Sequence, residues 1–305
     1  MTQKRFPTGI MSTVCVPWDE RGQVIESILR ENVRHALTGT RHLYLFGTAG
    51  EGYALTDAQF TAIVRGFADE MRSAGAEPMV GLIDLSLGSM QERIRLCRDL
   101  GVNDFQISLP SWAALRDDEL FLFFDHVCGV FPDCRFMHYN LMRTKRLVTG
   151  VEYGRLAARH PNLVATKNCG DSLEHIRSLQ LDAAPLQHFL SESGYVYGST
   201  FGECGILASF IMNWPKLRAL HEAGRRHDHA AMVAIQREVD IVIRTLDEAV
   251  PAGRIDGTYD KLIEKMYVPE MPLRLLPPYV GASDEEFHAF VNLLRERLPE
   301  WVPAA

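Results

Sequence analysis

Short apolar runs alternate with longer amphipathic segments along most of this chain, and the alternation repeats eight times before residue 210. Each run is too short for a buried helix and is bounded by glycine or polar residues, which is typical of a strand buried on both faces. Strands that alternate with helices form a parallel sheet, and eight such units close a barrel. We therefore predict an α/β fold, a (β/α)8 TIM barrel, with strands at 9–16, 42–46, 78–83, 104–109, 135–139, 163–167, 186–190 and 205–209.

The pattern changes after Pro215, beyond which no strand pattern returns. The spacing of apolar residues predicts helices over 217–249, with a break near Gly224, and over 259–266 and 284–298. Thr56 to Gln59 forms a capping-box pattern at an earlier helix start, and Ser283 to Glu286 forms one at the last. We predict a barrel over 1–215 that carries the reactive residues, with the helices of 216–305 packed on it.

Charge and composition exclude several classes of protein. The net charge is −7 and basic residues cluster only in two short pairs, so nucleic acid and acidic membrane surfaces are poor partners. No apolar run could span a bilayer, the N-terminus lacks a signal-peptide core, and the six cysteines have no CxxC spacing, which together predict a cytoplasmic protein with free thiols. His221, His227 and His229 do not share one helix face, so we expect no metal site.

Lys167 ends the predicted strand 163–167, just before a turn at Gly170-Asp171. An ammonium group is costly to desolvate at the end of a buried strand, so we expect the pKa of Lys167 to be lowered. The free amine would then be available as a nucleophile. From this segment alone, a lysine paired with a nearby carboxylate is an equally good interpretation.

Two further segments end predicted strands in a similar way. In 46–52, closely spaced glycines beside the Thr48 hydroxyl allow backbone N–H groups to converge on a carboxylate, although such a glycine-rich exit is also a common turn. Tyr139 ends the strand 135–139 on a phenol, which either relays protons or is a core side chain with one polar edge. Reactive groups of a barrel cluster where its strands end, so we expect the three segments to meet.

Taken together, three motifs resemble those of one known family. They are Gly47-Thr48-Ala49-Gly50-Glu51, Tyr139-Asn140 and the strand-end Lys167. In this order they resemble the dihydrodipicolinate synthase / N-acetylneuraminate lyase family of pyruvate-type class I aldolases. The resemblance extends from residue 9 to residue 278, which is nearly the whole chain.

The resemblance implies a role for each matching residue. Lys167 would form a Schiff base with a 2-oxo acid such as pyruvate, and Tyr139, hydrogen-bonded to Thr48, would relay protons. Leu207, in the last predicted strand, would contribute to substrate binding. The backbone of Gly47, Ala49, Gly50 and Glu51 would hold the substrate carboxylate. The resemblance also implies no cofactor beyond the lysine imine, and a homotetramer or homodimer.

The chain departs from the family pattern at two positions near these motifs. Ala49 stands where the family usually has a second threonine, so one hydroxyl donor worth about 0.5–1.5 kcal/mol is missing while the backbone N–H remains. Trp112 follows Pro110-Ser111 where the lysine-biosynthetic enzymes have Pro-Tyr-Tyr, and an indole cannot shuttle a proton. Trp112 either lines the pocket against a flat or uncharged substrate tail or is an interface or core aromatic.

Two further departures remodel the far wall of the pocket. The segment after Tyr139 is shortened, so Arg143 either reaches a distal carboxylate of the substrate or lies in solvent. The segment 167–170 is one residue shorter than the family pattern, and 191–194 replaces the usual Gly-Asp-Asp. The substrate of the family therefore cannot be transferred to this chain.

We predict a lyase that forms a Schiff base with a 2-oxo acid, such as an aldolase or dehydratase of a 2-keto-3-deoxy sugar acid. One alternative is a hydratase-aldolase that acts on an aryl-substituted pyruvate, since those enzymes have a similar Pro-x-Trp segment. An alternative from another class is a non-catalytic barrel that binds sugar acids or amino acids.

Overall fold

Eight parallel strands close into a barrel in chain order, with β1 paired to both β2 and β8. The computed structural model describes residues 3–170, 172–208 and 213–303. The strands are β1 (Ile10–Thr13), β2 (His42–Leu45), β3 (Met79–Leu82), β4 (Asp104–Ile107), β5 (Arg135–Asn140), β6 (Leu163–Asn168), β7 (Gln187–Leu190) and β8 (Gly205–Ala208). The predicted TIM barrel is confirmed; the predicted end of the last strand at Ser209 lies outside the described residues.

Helices follow the strands around the outside of the barrel. They are α1 (Glu26–Gly39), α2 (Asp57–Ser73), α3 (Leu87–Asp99), α4 (Asp117–Val127), α5 (Gly150–Arg159), α6 (Leu173–Asp182), α7 (Glu192–Phe201) and α8 (Trp214–Arg225). The capping box of Thr56 and Gln59 at the start of α2 is confirmed. None of the described helices is both long and apolar enough to cross a membrane.

Three more helices follow α8 and pack on the barrel as an appendage. They are α9 (His229–Ala249), α10 (Asp256–Tyr267) and α11 (Asp284–Arg297), and the predicted capping box of Ser283 and Glu286 begins α11. Helix α8 itself packs against β8 and β1, so it is the eighth barrel helix. The predicted boundary at residue 215 therefore falls inside the barrel, because α8 and α9 are separated by only a short turn and resemble one broken helix in sequence.

A cluster of buried side chains fills the interior of the barrel. Leu207 is 3% exposed there and pairs in register with Met11 of β1. Its predicted contact with substrate stays a prediction, since the side chain packs in the interior cluster of the barrel, into which Lys167 also points. That cluster comprises Phe6, Met11, Tyr44, Met79, Met137, Val164, Ala165, Phe189 and Leu207.

Candidate active site

Lys167 lies near the end of β6 and points into the barrel. It is 3% exposed, and its Nζ donates a hydrogen bond to the Tyr44 hydroxyl at 2.6 Å. Nζ also lies 3.7 Å from the ring centre of Tyr139 and 4.6 Å from that of Tyr44. Within the described part of the chain, Lys167 forms no ion pair with a carboxylate, so the alternative interpretation of a paired structural lysine is not supported.

The pKa of Lys167 is raised above its ordinary value, and the prediction that it is lowered was wrong. Burial does lower this pKa, but the phenols of Tyr139 and Tyr44 and the thiol of Cys169 together raise it by more. The prediction considered desolvation without these neighbours, which β2 and β5 bring in from elsewhere in the sequence. The resting side chain is therefore an ammonium, and a proton must leave Nζ before the amine can attack a ketone.

Tyr139 connects Lys167 to Thr48. Tyr139 is the register partner of Lys167 across β5 and β6, and its hydroxyl lies 3.4 Å from Thr48 Oγ1. The exposed Cys169 thiol donates to the same hydroxyl at 3.7 Å. Burial raises the pKa of Tyr139, so the phenol keeps its proton near neutral pH. The structure thus brings Lys167, Tyr139 and Thr48 together, as their positions at strand ends predicted.

Tyr44 is a site residue that the sequence interpretation missed. It lies within β2, is 1% exposed, and accepts the hydrogen bond from Lys167. Gly47 closely approaches the Tyr44 ring, since a Cβ at position 47 would lie 2.5 Å from Tyr44 Cε2. The period of two along β2 points the side chains of His42 and Tyr44 to one face. That alternation is the signal that could have identified Tyr44.

Two side chains of the 47–51 loop are turned away from the pocket. The Ala49 methyl packs with Cys15, Val268 and Met271. The Glu51 carboxylate is fully buried and accepts hydrogen bonds from the Trp18 indole, the Lys261 ammonium and the Leu276 backbone. Only their backbones remain available to a substrate, so Glu51 supports the loop rather than binding substrate through its side chain.

A cavity of about 500 Å³ opens beside Thr48 at the C-terminal ends of the strands. Arg143 lines it and makes a bidentate ion pair with Asp256, with Nη–Oδ distances of 2.9 and 2.8 Å. Arg93 also lines it and lies 3.4 Å from Asp84. Acidic side chains of the protein therefore neutralise both Arg143 and Arg93. Lys167 does not line this cavity and lies next to Tyr139.

Trp112 does not line this cavity in the single chain. Its side chain is 83% exposed, whereas the neighbouring Ser111 does line the cavity. Lys145 Nζ donates to the Trp112 carbonyl at 2.8 Å, which fixes the backbone without burying the indole. The loop after β4 directs the indole into solvent, so Trp112 is not a core residue and does not line the pocket within one chain. The alternative interpretation of Trp112 as an interface aromatic stays a prediction.

The packing of Ala49 leads to a prediction about the missing family hydroxyl. We expect Ala49→Thr to lower the free energy of unfolding by about 1–3 kcal/mol without lowering KM, because the hydroxyl would be buried against Cys15, Val268 and Met271. Ala49→Val has the same shape without the hydroxyl and is the control, which should be the more stable of the two. Urea unfolding of both variants measures the difference; a threonine variant as stable as wild type with a lower KM would contradict this packing.

The sequence profile of the dihydrodipicolinate synthetase family matches residues 6–195. The 4-hydroxy-tetrahydrodipicolinate synthase of Thermus thermophilus is 26% identical over 166 residues, which are 53% of this chain and 55% of that protein. A probable 5-dehydro-4-deoxyglucarate dehydratase of Oceanobacillus iheyensis is 21% identical over 174 residues, which are 57% of this chain and 54% of that protein. The chain thus spans about half the length of the curated relatives it matches.

Solved structures resemble the whole fold. CdNal from Clostridium difficile in complex with mannosamine superimposes with a TM-score of 0.85 at 17% identity, covering 95% of this chain and 99% of that one. A catalytic lysine mutant of the Ruminococcus gnavus sialic acid aldolase superimposes with a TM-score of 0.84 at 14% identity, covering 98% of both chains. At such identities the likeness establishes the barrel with its C-terminal helices.

Proposed function

Because this chain belongs to the dihydrodipicolinate synthetase family, whose members are class I aldolases, lyases or dehydratases, we propose that it forms a Schiff base between Lys167 and a 2-oxo acid. The observation that carries this proposal is the contact of the Lys167 ammonium with two phenols, at 2.6 Å from the Tyr44 hydroxyl and 3.7 Å from the Tyr139 ring centre. The names of the matched dehydratase and of the sialic acid aldolase with its catalytic lysine support the same reaction class.

The first step forms the iminium ion. Loss of one proton from the Lys167 ammonium gives the amine, which attacks C2 of the 2-oxo acid and forms a C–N bond. The nitrogen then loses a second proton and the carbonyl oxygen takes up two protons in turn. The C2–O bond breaks, the oxygen leaves as water, and the nitrogen lone pair forms the C=N bond of the iminium ion. The ring of Tyr139 contacts the Lys167 ammonium and its hydroxyl lies 3.4 Å from Thr48 Oγ1, so we assign these proton transfers to Tyr139.

The second step uses the iminium ion as an electron sink. In cleavage, the C4 hydroxyl loses its proton, the C3–C4 bond breaks, and its electron pair forms an enamine while an aldehyde is released. C3 then takes up a proton, and hydrolysis of the resulting iminium ion releases pyruvate. In dehydration, C3 loses a proton and the C4–O bond then breaks, with hydroxide leaving as water after protonation. Either reaction needs a group that carries protons beside C3 and C4. We assign this role to the Tyr139 hydroxyl, which lies next to Thr48.

The lining of the cavity favours a 2-keto-3-deoxy sugar acid. Hydroxyl groups of Tyr53, Ser108 and Ser111 and the carboxylate of Asp84 can hydrogen-bond to a polyhydroxyl tail. Arg143 is already neutralised by Asp256, so the wall offers a polar surface without net charge. A neutral polyol tail suits such a wall better than a second carboxylate.

A second candidate substrate is an aryl-substituted pyruvate. The rings of Tyr53 and Tyr279 meet edge to face with centres 5.5 Å apart at 85°, and both line the cavity. Leu109 and Leu141 add apolar surface to the same wall. An aromatic tail could stack against these side chains.

The homo-oligomer, the cytoplasmic location and the lack of a cofactor stay predictions.

A panel of substrates tests the proposal. We expect turnover of at least one 2-keto-3-deoxy sugar acid, measured as pyruvate release for cleavage or as loss of the C4 hydroxyl by NMR for dehydration. Condensation of pyruvate with aspartate semialdehyde should be negligible, because Trp112 replaces a proton-relaying tyrosine. Preference for aryl-substituted substrates would favour the second candidate. Efficient dihydrodipicolinate formation would show that the condensation of pyruvate with aspartate semialdehyde was wrongly excluded. No turnover across the panel would contradict the proposal.

A further inference from the structure

A buried ion pair joins the 47–51 loop to the C-terminal appendage. Glu51 and Lys261 both have fully buried side chains, and Lys261 Nζ donates to Glu51 Oε1 at 2.7 Å. Trp18 Nε1 donates to the same oxygen at 2.7 Å, and the backbone N–H of Leu276 donates to Oε2 at 2.6 Å. Lys261 also donates to the Arg274 carbonyl at 2.5 Å. Among the described residues, the partners of the Glu51 carboxylate therefore come from outside the loop.

The backbone of the loop requires such support. Phe46 and Glu51 have φ values of 65° and 55°, a left-handed conformation that residues other than glycine rarely adopt. Backbone hydrogen bonds within the loop are few; Glu51 donates to Thr48 at 3.1 Å, and Ala54 donates to Glu51 at 2.9 Å. The side chain of Glu51 thus holds a backbone that local preferences alone would not keep in place.

The appendage supports the loop at a second point. Ala49 packs against Val268 and Met271, which follow α10, and a Cβ at Gly257 of α10 would lie 3.6 Å from Ala49 Cα. Lys261 lies one helical turn further along α10. Helix α10 therefore contacts the loop at Ala49 and at Glu51, the residues before and after Gly50. Thr48 of the same loop contacts Tyr139 instead.

We propose that α10 positions the loop for the substrate carboxylate and that Lys261 is a positioning residue acting through Glu51. This inference rests on the proposed function, in which the backbone of residues 47–51 holds the carboxylate of the 2-oxo acid. Without Lys261, the Glu51 carboxylate would lose its buried counter-charge, and the loop would shift to expose the carboxylate to solvent. Such a shift would misplace the carboxylate donors more than the amine of Lys167, which belongs to a strand.

Variants of the ion pair test the proposal. In Lys261→Met we expect KM for the 2-oxo acid to rise about tenfold, with a smaller change in kcat, because a loop misplaced by about 1 Å weakens binding. Amide hydrogen exchange of residues 47–52 should accelerate at the same time. Lys261→Arg keeps the positive charge and should restore KM in part. If Lys261→Met does not fold, KM and amide exchange are measured in Glu51→Gln instead, because this substitution removes the carboxylate charge and keeps the shape of the side chain.

A matched control breaks an ion pair at the opposite end of the barrel. Arg135 makes a bidentate pair with the buried Asp104, with distances of 2.7 and 2.6 Å, and Arg135→Met should lower the melting temperature while leaving KM and exchange in 47–52 unchanged. A folded Lys261→Met protein with wild-type KM and wild-type exchange would overturn the inference. Absence of turnover in the wild type would instead refute the proposed function, and exchange alone would then decide whether Lys261 holds the loop.

Discussion

Lys167→Ala is expected to lower turnover of any 2-oxo acid substrate by on the order of 10⁴- to 10⁶-fold, because Lys167 is the described lysine whose Nζ contacts both Tyr44 and Tyr139. We expect the fold to persist, because the substitution removes one side-chain hydrogen bond, to Tyr44, near the end of β6. Steady-state kinetics and thermal unfolding measure the two effects. Lys216→Ala is the control, because Lys216 pairs with Glu238 on the appendage side of α8 and lies outside the cavity lining.

Two outcomes of that experiment would count against the mechanism. Residual turnover within about tenfold of wild type would mean that the lysine binds substrate without forming a covalent bond. An equal loss in Lys216→Ala would mean that the assay reports stability rather than chemistry. A folded, inactive Lys167→Ala protein beside an active Lys216→Ala protein is the result that the structure predicts.

Tyr139→Phe is expected to lower turnover by about 10²- to 10⁴-fold if the phenol relays protons. The free energy of unfolding should change by about 1 kcal/mol or less, because the contacts of the hydroxyl with the described residues are long, at 3.4 Å to Thr48 and 3.7 Å to Cys169. Comparison of kcat with the urea unfolding curve separates the two effects.

Tyr153→Phe is the matched control for Tyr139→Phe. Tyr153 is another fully buried tyrosine, but its hydroxyl is hydrogen-bonded to His138 at 2.5 Å rather than placed beside Lys167. Its removal should lower stability and leave turnover unchanged. If turnover were unchanged in Tyr139→Phe as well as in Tyr153→Phe, Tyr139 would be a packing residue without a role in proton transfer.

The sequence predicts the barrel and three of its site residues for identifiable reasons. Short β-branched and apolar runs such as 163–167 can only be buried strands in a chain of this pattern, and parallel strands must end on one face. Lys167 and Tyr139 lie at those ends, and Thr48 lies in the glycine-rich loop that follows β2, so the strand order alone brings the three residues close together. In the structure, Tyr139 of β5 is paired in register with Lys167 of β6.

Other features depend on contacts that no local pattern contains. Tyr44 is an aromatic residue within a strand and resembles a core side chain, while its contact with Lys167 joins positions 123 residues apart. The raised pKa of Lys167 follows from the same long-range contacts. Glu51 is directed away from the pocket because Trp18 and Lys261, distant in sequence, donate to it. The exposure of Trp112 is set by the path of the loop after β4.

Borohydride trapping tests the central claim most directly. The protein is incubated with pyruvate and borohydride, which reduces an imine to a stable amine, and the modified peptide is identified by mass mapping. We expect the adduct on the peptide that contains Lys167, none on Lys261, which is also fully buried, and none in Lys167→Ala. An adduct on another lysine, or none with any 2-oxo acid tried, would contradict the Schiff-base mechanism, and the second result would favour a barrel that binds its ligand without chemistry.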